Sequence, residues 1–287
     1  MCNIIDGKLV AASVKARVAE GVRELKQHYK DVCLAVIMVG EDPASQVYVK
    51  NKKKACEELG IISKEYVLPA AYGQHNLIDL INKLNRDSSV NGILCQLPLP
   101  LGYNEKEVLD AIAPSKDVDA FHPVNVGHIL IGDYTFLPCT PAGIMELLSY
   151  YNVDVTGKEC VVVGRSNIVG KPMSLLLLHS NGTVTVAHSK TKNLAEVCRR
   201  ADILVAAVGK PGFITADMVK EGAVVIDVGI NRVDGRLCGD VDFEHVKDKA
   251  SWITPVPGGV GPMTIAMLMQ NVLIATRMQS NFISNYL

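Results

Sequence analysis

From Cys160 to Val163 the chain is a short apolar run rich in β-branched residues. It breaks at Gly164-Arg165-Ser166-Asn167-Ile168-Val169-Gly170-Lys171-Pro172 and resumes as the apolar segment Met173 to Leu178. Parallel strands covered on both faces read as such unbroken runs. A helix that starts directly after one presents unpaired N–H groups and the positive end of its dipole, which together favour an anion. Gly164 and Gly170 allow a sharp turn and close approach by a ligand. Their spacing is not the G-x-G-x-x-G of the common dinucleotide fingerprint, so a tight strand-to-helix turn that binds nothing also satisfies the pattern.

The surrounding pattern repeats this strand-and-helix alternation. Leu9, Val10, Val14, Val18, Val22 and Leu25 recur at helical spacing, and Val32 to Val39 follows as a continuous strand. Asp42 and Pro43 predict the start of a helix that Gly60 ends. Strand, helix and strand are then predicted at Ser63 to Leu68, Leu77 to Leu84 and Gly92 to Cys95, and Asn104 with Glu107 predicts a capped helix through Ala113. The proline-marked stretch Leu137-Pro138-Cys139-Thr140-Pro141 reads as a boundary. Beyond it, strands at Glu159 to Val163, Thr183 to Ala187, Ile203 to Val208 and Ala223 to Val228 have the cadence of a dinucleotide-binding unit. Pro255 to Pro262 interrupts this, and Met263 to Thr276 predicts a final helix that returns to the first domain. The expected fold is therefore α/β with two domains: residues 1–139 plus 263–287 as an α/β catalytic domain completed by the C-terminal helix, and residues 140–262 as a Rossmann-type domain with a mostly parallel sheet.

Composition excludes several classes. Among 287 residues, 29 Lys+Arg nearly balance 30 Asp+Glu, and the one dense basic run is Lys50 to Lys54, so nucleic acid is not the expected partner. The eight cysteines are at least 21 residues apart, which fits neither paired zinc ligands nor a compact disulfide framework. No apolar run reaches the ~18 residues of a membrane span, and the first residues lack a secretory pattern. A cytoplasmic protein with reduced thiols is expected, with neither metal nor membrane partner.

The chain after the second strand of the dinucleotide unit reads Ala187-His188-Ser189-Lys190-Thr191, with no carboxylate before Glu196. An NAD site needs an acidic group there for the ribose 2′-hydroxyl, whereas a 2′-phosphate needs cations or neutral donors. Arg165 and Ser189, with Lys190, supply these and favour NADP. A solvated loop with incidental charges would look the same. Gly209 and Ile230, in Val208-Gly209-Lys210-Pro211-Gly212 and Asp227-Val228-Gly229-Ile230-Asn231, stand at further strand ends and are candidates for the nicotinamide and ribose side.

On the helix after Pro43, Lys52 lies roughly 40° from Tyr48, while Lys50, Lys53 and Lys54 fall roughly 120° to 160° away. Only Lys52 shares the tyrosine's face, and a partly desolvated lysine among other ammonium groups meets the condition for accepting a proton near neutrality. A solvated basic face is the plainer alternative for this segment alone. Gln96, at the end of a buried strand, could hold the amine in place. Asp119, in Lys116-Asp117-Val118-Asp119, could accept paired N–H groups of a flat heterocycle, although Asp-x-Asp also serves ordinary turns.

Five ordered motifs carry a resemblance across essentially the whole chain: Tyr48-Val49-x-x-Lys52-x-Lys54-Ala55-Cys56, Gly92-Ile93-Leu94-x-Gln96-Leu97-Pro98-Leu99-Pro100, Lys116-Asp117-Val118-Asp119, Gly164-Arg165-Ser166-x-Ile168-Val169-Gly170-x-Pro172-Met173, and Pro255-Val256-Pro257-Gly258-Gly259-Val260-Gly261-Pro262-Met263-Thr264. Together they resemble the bifunctional methylenetetrahydrofolate dehydrogenase/cyclohydrolase family. The resemblance implies NADP-dependent oxidation of 5,10-methylenetetrahydrofolate followed by hydrolysis to 10-formyltetrahydrofolate, without a metal, in a homodimer formed largely through the cofactor domains. It implies Lys52 as acid/base of the hydrolysis, Tyr48 stacked on the folate, Gln96 tuning Lys52 and Asp119 anchoring the pterin. Leu97, Pro98, Pro257, Gly258 and Gly259 would line the folate site, with a cis peptide before Pro98. Gly164, Arg165, Ser166, Ile168, Ser189, Gly209 and Ile230 would hold NADP. At Ala120 the chain departs from the family's usual glycine, with a small expected effect on folate affinity and none on chemistry. A monofunctional dehydrogenase or another NADP-dependent α/β reductase, such as one acting on shikimate-like acids, is the competing enzyme reading. A dinucleotide-sensing module is the non-enzymatic one.

Overall fold

The computed structural model describes residues 2–28 and 30–280. Its chain divides into two compact units, one of residues up to Ala12 with Pro138–Thr264, the other of Ser13–Leu137 with the residues from Ile265 on.

In the first unit six parallel strands stand in the order Asn3–Ile4, Trp252–Ile253, Val224–Asp227, Ile203–Ala206, Glu159–Val163, Thr183–Ala187. Cys160 to Val163, Ile203 to Ala206 and Val224 to Asp227 are buried throughout, as their unbroken apolar runs require when both faces are covered. Val161, Val163, Leu204, Val225 and Ile253 form one packed core with Ile214, Val241 and Val246. The register aligns Val163 with Ala187 on one side and with Ala206 on the other, and Ala206 with Asp227. Consequently the turns after these four strands leave the same edge of the sheet, where open α/β sheets bind ligands.

The N-terminal residues depart from the expected division. The sequence groups residues 1–139 together, but Asn3 and Ile4 pair with Trp252 and Ile253, and Ile5 is fully buried. A two-residue strand is too short to show a period. The structure adds an antiparallel hairpin, Asn231–Val233 with Arg236–Cys238, and Asp234 and Gly235 at its tip both take positive φ, as a tight hairpin turn demands.

The second unit contains a three-stranded parallel sheet in the order Ile62–Leu68, Cys33–Val39, Gly92–Cys95. The middle strand is buried along its whole length, while Ile62–Leu68, at the edge, has no fully buried residue. The helix Pro43–Leu59 begins where the Asp42 side chain accepts the Ser45 N–H at 2.8 Å and ends at Gly60 with φ 73°. Its buried positions include Val49, Lys52, Ala55, Cys56 and Leu59. The helix Glu105–Asp110 stops short of the expected Ala113 because the chain tightens into a 3₁₀ turn at Pro114–Lys116, and a further helix, Pro123–Ile131, was not anticipated. The last helix spans Val260–Gln279; residues 281–287 of the expected catalytic domain lie outside the described residues.

Candidate functional site

In the second unit the helix Pro43–Leu59 and the strand Gly92–Cys95 bring Lys52 and Gln96 together. Lys52 Nζ donates to Gln96 Oε1 at 2.8 Å, and Lys52 is only 8% exposed. The amide is held in that orientation because Gln96 Nε2 donates to the Leu97 carbonyl at 2.7 Å and its backbone N–H to Ile37 at 2.8 Å. The partner is a neutral amide, so the contact is a hydrogen bond and not an ion pair. The remaining lysines of the run are exposed and turned elsewhere: Lys53 pairs with Glu65 at 2.9 Å and Lys54 lies 3.9 Å from Glu58. Tyr48, one turn before Lys52, is exposed over about a third of its surface, yet burial of the rest raises the pKa of its phenol. The peptide between Leu97 and Pro98 is cis, as is that between Val256 and Pro257.

The motif around Asp119 divides its labour. Lys116, 6% exposed, donates to the carbonyls of Leu84 and Asp87 at 2.9 and 2.7 Å, capping the helix Gln74–Arg86; burial lowers its pKa. Asp117 is 2% exposed and accepts from the His122 N–H and Asn125 Nδ2, each at 2.8 Å. Burial outweighs these bonds and pushes its carboxyl up to about 6. Both residues serve the fold, whereas Asp119 is only partly buried. It sits close to the strand that leads to Gln96: Cys95's thiol is pushed up to about 12, first by burial and then by the charge of Asp119. Asn271, unnoticed in the sequence because a lone Asn in an apolar helix has no pattern, is 3% exposed and donates to the carbonyls of Val118 and Leu137 at 2.8 and 2.9 Å. It ties the last helix to the loop that presents Asp119. Ala120 explains the glycine preference at its position: it has φ 58° and is fully buried, a left-handed conformation that costs a side chain about 1 kcal/mol.

In the first unit Gly164 has φ 133°, and a Cβ there would lie 2.2 Å from the Ala207 carbonyl oxygen. A Cβ on Gly170 would lie 2.3 Å from the Gly164 oxygen, so both glycines are required for the turn to close against its neighbours. Ser166 Oγ accepts the N–H groups of Val169 and Gly170 at 3.1 and 3.2 Å. The helix Gly170–His179 is thus capped from within its own turn, and the side chains of Arg165 and Ile168, both exposed, are what the turn offers outward. Since Val163 aligns with Ala187, Arg165 and Ser189 occupy equivalent positions two residues beyond adjacent strands, both exposed. No carboxylate stands between Ala187 and Glu196. A guanidinium and a hydroxyl at such positions suit a phosphate monoester.

Gly209 and Ile230 follow the next two strands on the same edge. Ile230 is half exposed, whereas the Gly209 N–H is committed to Asp240 at 2.9 Å. Pro257, Gly258 and Gly259 lie in this unit too; Gly7 donates to the Gly258 oxygen at 2.9 Å, and a Cβ on Gly7 would lie 1.7 Å from the Gly259 oxygen. Asp227 and Asp240, which no sequence pattern singled out, are 3% and 0% exposed.

A parallel sheet with glycine turns at one edge, joined to a second α/β unit bearing a buried lysine–glutamine pair, defines a two-domain α/β enzyme of the dinucleotide-binding class. Two family profiles match the chain: the tetrahydrofolate dehydrogenase/cyclohydrolase catalytic domain over residues 5–119 and its NAD(P)-binding domain over residues 138–280. The chain belongs to the tetrahydrofolate dehydrogenase/cyclohydrolase family. It is 62% identical over 278 residues to the bifunctional protein FolD of Agathobacter rectalis, covering 96% of this chain and all of that one. Among solved structures, the bifunctional FolD methylenetetrahydrofolate dehydrogenase/cyclohydrolase of Campylobacter jejuni superposes with a TM-score of 0.96 at 51% identity, covering 97% of this chain and 99% of that one. The Trypanosoma brucei methylenetetrahydrofolate dehydrogenase-cyclohydrolase, solved with NADP cofactor and an inhibitor, superposes with a TM-score of 0.93 at 38% identity, covering 97% and 98%.

Proposed function

We propose that this protein is a bifunctional one-carbon folate enzyme that oxidises 5,10-methylenetetrahydrofolate to 5,10-methenyltetrahydrofolate and hydrolyses the product to 10-formyltetrahydrofolate. The observation that carries the reading is the 2.8 Å contact between the buried Lys52 amine and a neutral amide oxygen. NADP, when bound, supplies the hydride acceptor. The methylene carbon can release hydride because both flanking nitrogens stabilise the resulting amidinium. The protein's share of that step is positioning. Arg165 and Ser189 bind the 2′-phosphate, Gly164, Ser166 and Ile168 form the turn under the dinucleotide, and Gly209 and Ile230 meet its nicotinamide end.

In the hydrolysis Lys52 takes a proton from the water as its oxygen bonds to the methenyl carbon and returns it to the ring nitrogen as the carbon–nitrogen bond breaks, while Gln96 holds the amine on its line of approach. The second water proton leaves to solvent as the formyl carbonyl forms. Tyr48 stacks on the folate and Asp119 accepts paired N–H groups of the pterin; Leu97, Pro98, Pro257, Gly258 and Gly259 are the further folate-lining residues of this reading. A sensing module would have no use for the lysine–glutamine pair, and a reductase of shikimate-like acids none for the folate-side set of Tyr48, Gln96 and Asp119. The proposal extends to a homodimer in the cytoplasm; among the described residues no helix is long and apolar enough to cross a membrane. The test is to supply the purified protein with methylenetetrahydrofolate and NADP or NAD in parallel, and separately with methenyltetrahydrofolate. Faster reduction of NADP together with hydrolysis is expected; hydrolysis at the uncatalysed rate overturns the bifunctional reading.

A further inference from the structure

At the end of Ile203–Ala206 three consecutive backbone N–H groups converge on one carboxylate. Val208 and Gly209 donate to Asp240 Oδ2 at 2.6 and 2.9 Å, and Lys210 donates to Oδ1 at 2.8 Å. Asn231 Nδ2 donates to the same Oδ1 at 2.9 Å, and Asp240 is fully buried. Successive N–H groups turned inward in this way form an anion-binding concavity. Here the anion is internal.

Asp240 is itself held by a second carboxylate. Asp227, the last residue of the strand Val224–Asp227, accepts the N–H groups of Gly229 and Asp240 at 2.9 and 2.8 Å on Oδ1 and that of Val241 at 3.0 Å on Oδ2. The two glycines beside these groups have no room for a side chain: a Cβ on Gly239 would lie 1.8 Å from Asp227 Oδ2, and one on Gly229 would lie 2.3 Å from Asp240 Oδ1. Burial, and to a lesser degree the neighbouring Asp240 charge, pushes the Asp227 carboxyl up to about 6 against the pull of its N–H donors. Two adjoining buried carboxylates are unfavourable unless donors surround them, and here at least three reach each one.

Asp240 therefore joins two loops that leave neighbouring strands, one carrying Gly209 and the other Ile230 and Asn231. We propose that Asp240 is a positioning residue of the cofactor site. Its carboxylate occupies the concavity of residues 208–210, so this loop binds no phosphate and turns carbonyl oxygens toward the ligand, and it fixes that loop to the Ile230 loop at the nicotinamide end. The phosphates fall to the Gly164 turn. This inference rests on the cofactor reading given above.

The test compares the whole dinucleotide with its adenosine half. In Asp240→Asn the carboxamide keeps the shape but sets an NH₂ group against backbone donors. NADP affinity is expected to fall about tenfold or more. The affinity for adenosine 2′,5′-bisphosphate, which reaches only Arg165, Ser189 and the Gly164 turn, is expected to stay within about twofold, and dehydrogenase KM for NADP to rise more than kcat falls. Equal losses for both ligands would mean that Asp240 merely supports the fold, and unchanged NADP binding would remove it from the site; either overturns the proposal. Should Asp240→Asn fail to yield folded protein, Asn231→Ala removes the one side-chain donor and must show the same selective loss at smaller size. Failure of the unaltered protein to bind NADP at all would instead refute the cofactor reading, and the inference with it.

Discussion

Replacing Lys52 by methionine removes the amine while leaving most of its volume. Lys52 is almost wholly buried, so its methylene stem already packs in the unit's interior, and methionine fills the same space. The loss to the fold is one hydrogen bond at Gln96 Oε1, a half-buried acceptor that water can reach in part, worth about 1 kcal/mol. The loss to chemistry is larger, because general acid–base catalysis contributes roughly 10²- to 10⁴-fold, or about 3 to 5 kcal/mol of barrier. Hydrolysis of methenyltetrahydrofolate, followed by the decay of its absorbance, is therefore expected to slow by at least about 100-fold, mainly in kcat. NADP affinity, measured by titration, should be unchanged, and the thermal midpoint should move by a few degrees at most. Hydrolysis within about threefold of the unaltered rate, in a protein that still binds NADP, would refute the assignment of Lys52 and with it the reason for Gln96's placement.

Arg165→Ala is expected to weaken NADP by about 10- to 100-fold, the worth of a charge-assisted bond to phosphate, and NAD by less than about threefold; parallel binding titrations check this, and equal losses would remove Arg165 from the 2′-phosphate. Asp117, pushed up to about 6 by burial, gives a pH dependence of stability. Its folded pKa exceeds the ordinary carboxylate value, so the native state holds the extra proton between about pH 4 and 6, and stability from this group falls as pH rises through that window by up to about 3 kcal/mol. Asp117→Asn keeps an oxygen for His122 and Asn125, and denaturant melts across that range should show the slope reduced. Six cysteines are buried, and burial pushes Cys56 and Cys95 up to about 12 and Cys160 and Cys198 up to about 11. A thiol reagent should therefore modify only Cys2 and Cys238 in the native protein and all eight after denaturation.

What the sequence made legible follows from the length of each signal. Glu159–Val163 and Gly92–Cys95 match expectation residue for residue because buried strands leave an apolar run with glycine or polar residues at its ends, and the edge strand Thr183–Ala187 matches through its β-branched residues. The helical wheel that selected Lys52 from four lysines works because one side of that helix is buried and the other solvated. Short or non-local features were not legible. Asn3–Ile4 is placed by a partner nearly 250 residues away, and the helix Pro123–Ile131 is apolar nearly all round, with Val124, Val126, Leu130 and Ile131 exposed, so it shows no amphipathic stripe. Asp227, Asp240 and Asn271 act through backbone groups distant in sequence, and a single polar residue carries no period. Asp240 also alters the meaning of a residue that was legible. Gly209 follows the strand Ile203–Ala206, and its N–H already has a partner in Asp240, which leaves its carbonyl for a ligand.

The central claim, that one chain both oxidises and hydrolyses, is tested most directly by following both products in a single reaction. Methylenetetrahydrofolate and NADP are supplied to the purified protein, with NADPH read by absorbance and folates resolved by mass spectrometry. Formation of 10-formyltetrahydrofolate in step with NADPH, faster than free methenyltetrahydrofolate hydrolyses in the same buffer, is the predicted result. NADPH formed with methenyltetrahydrofolate accumulating and decaying only at its uncatalysed rate would contradict it.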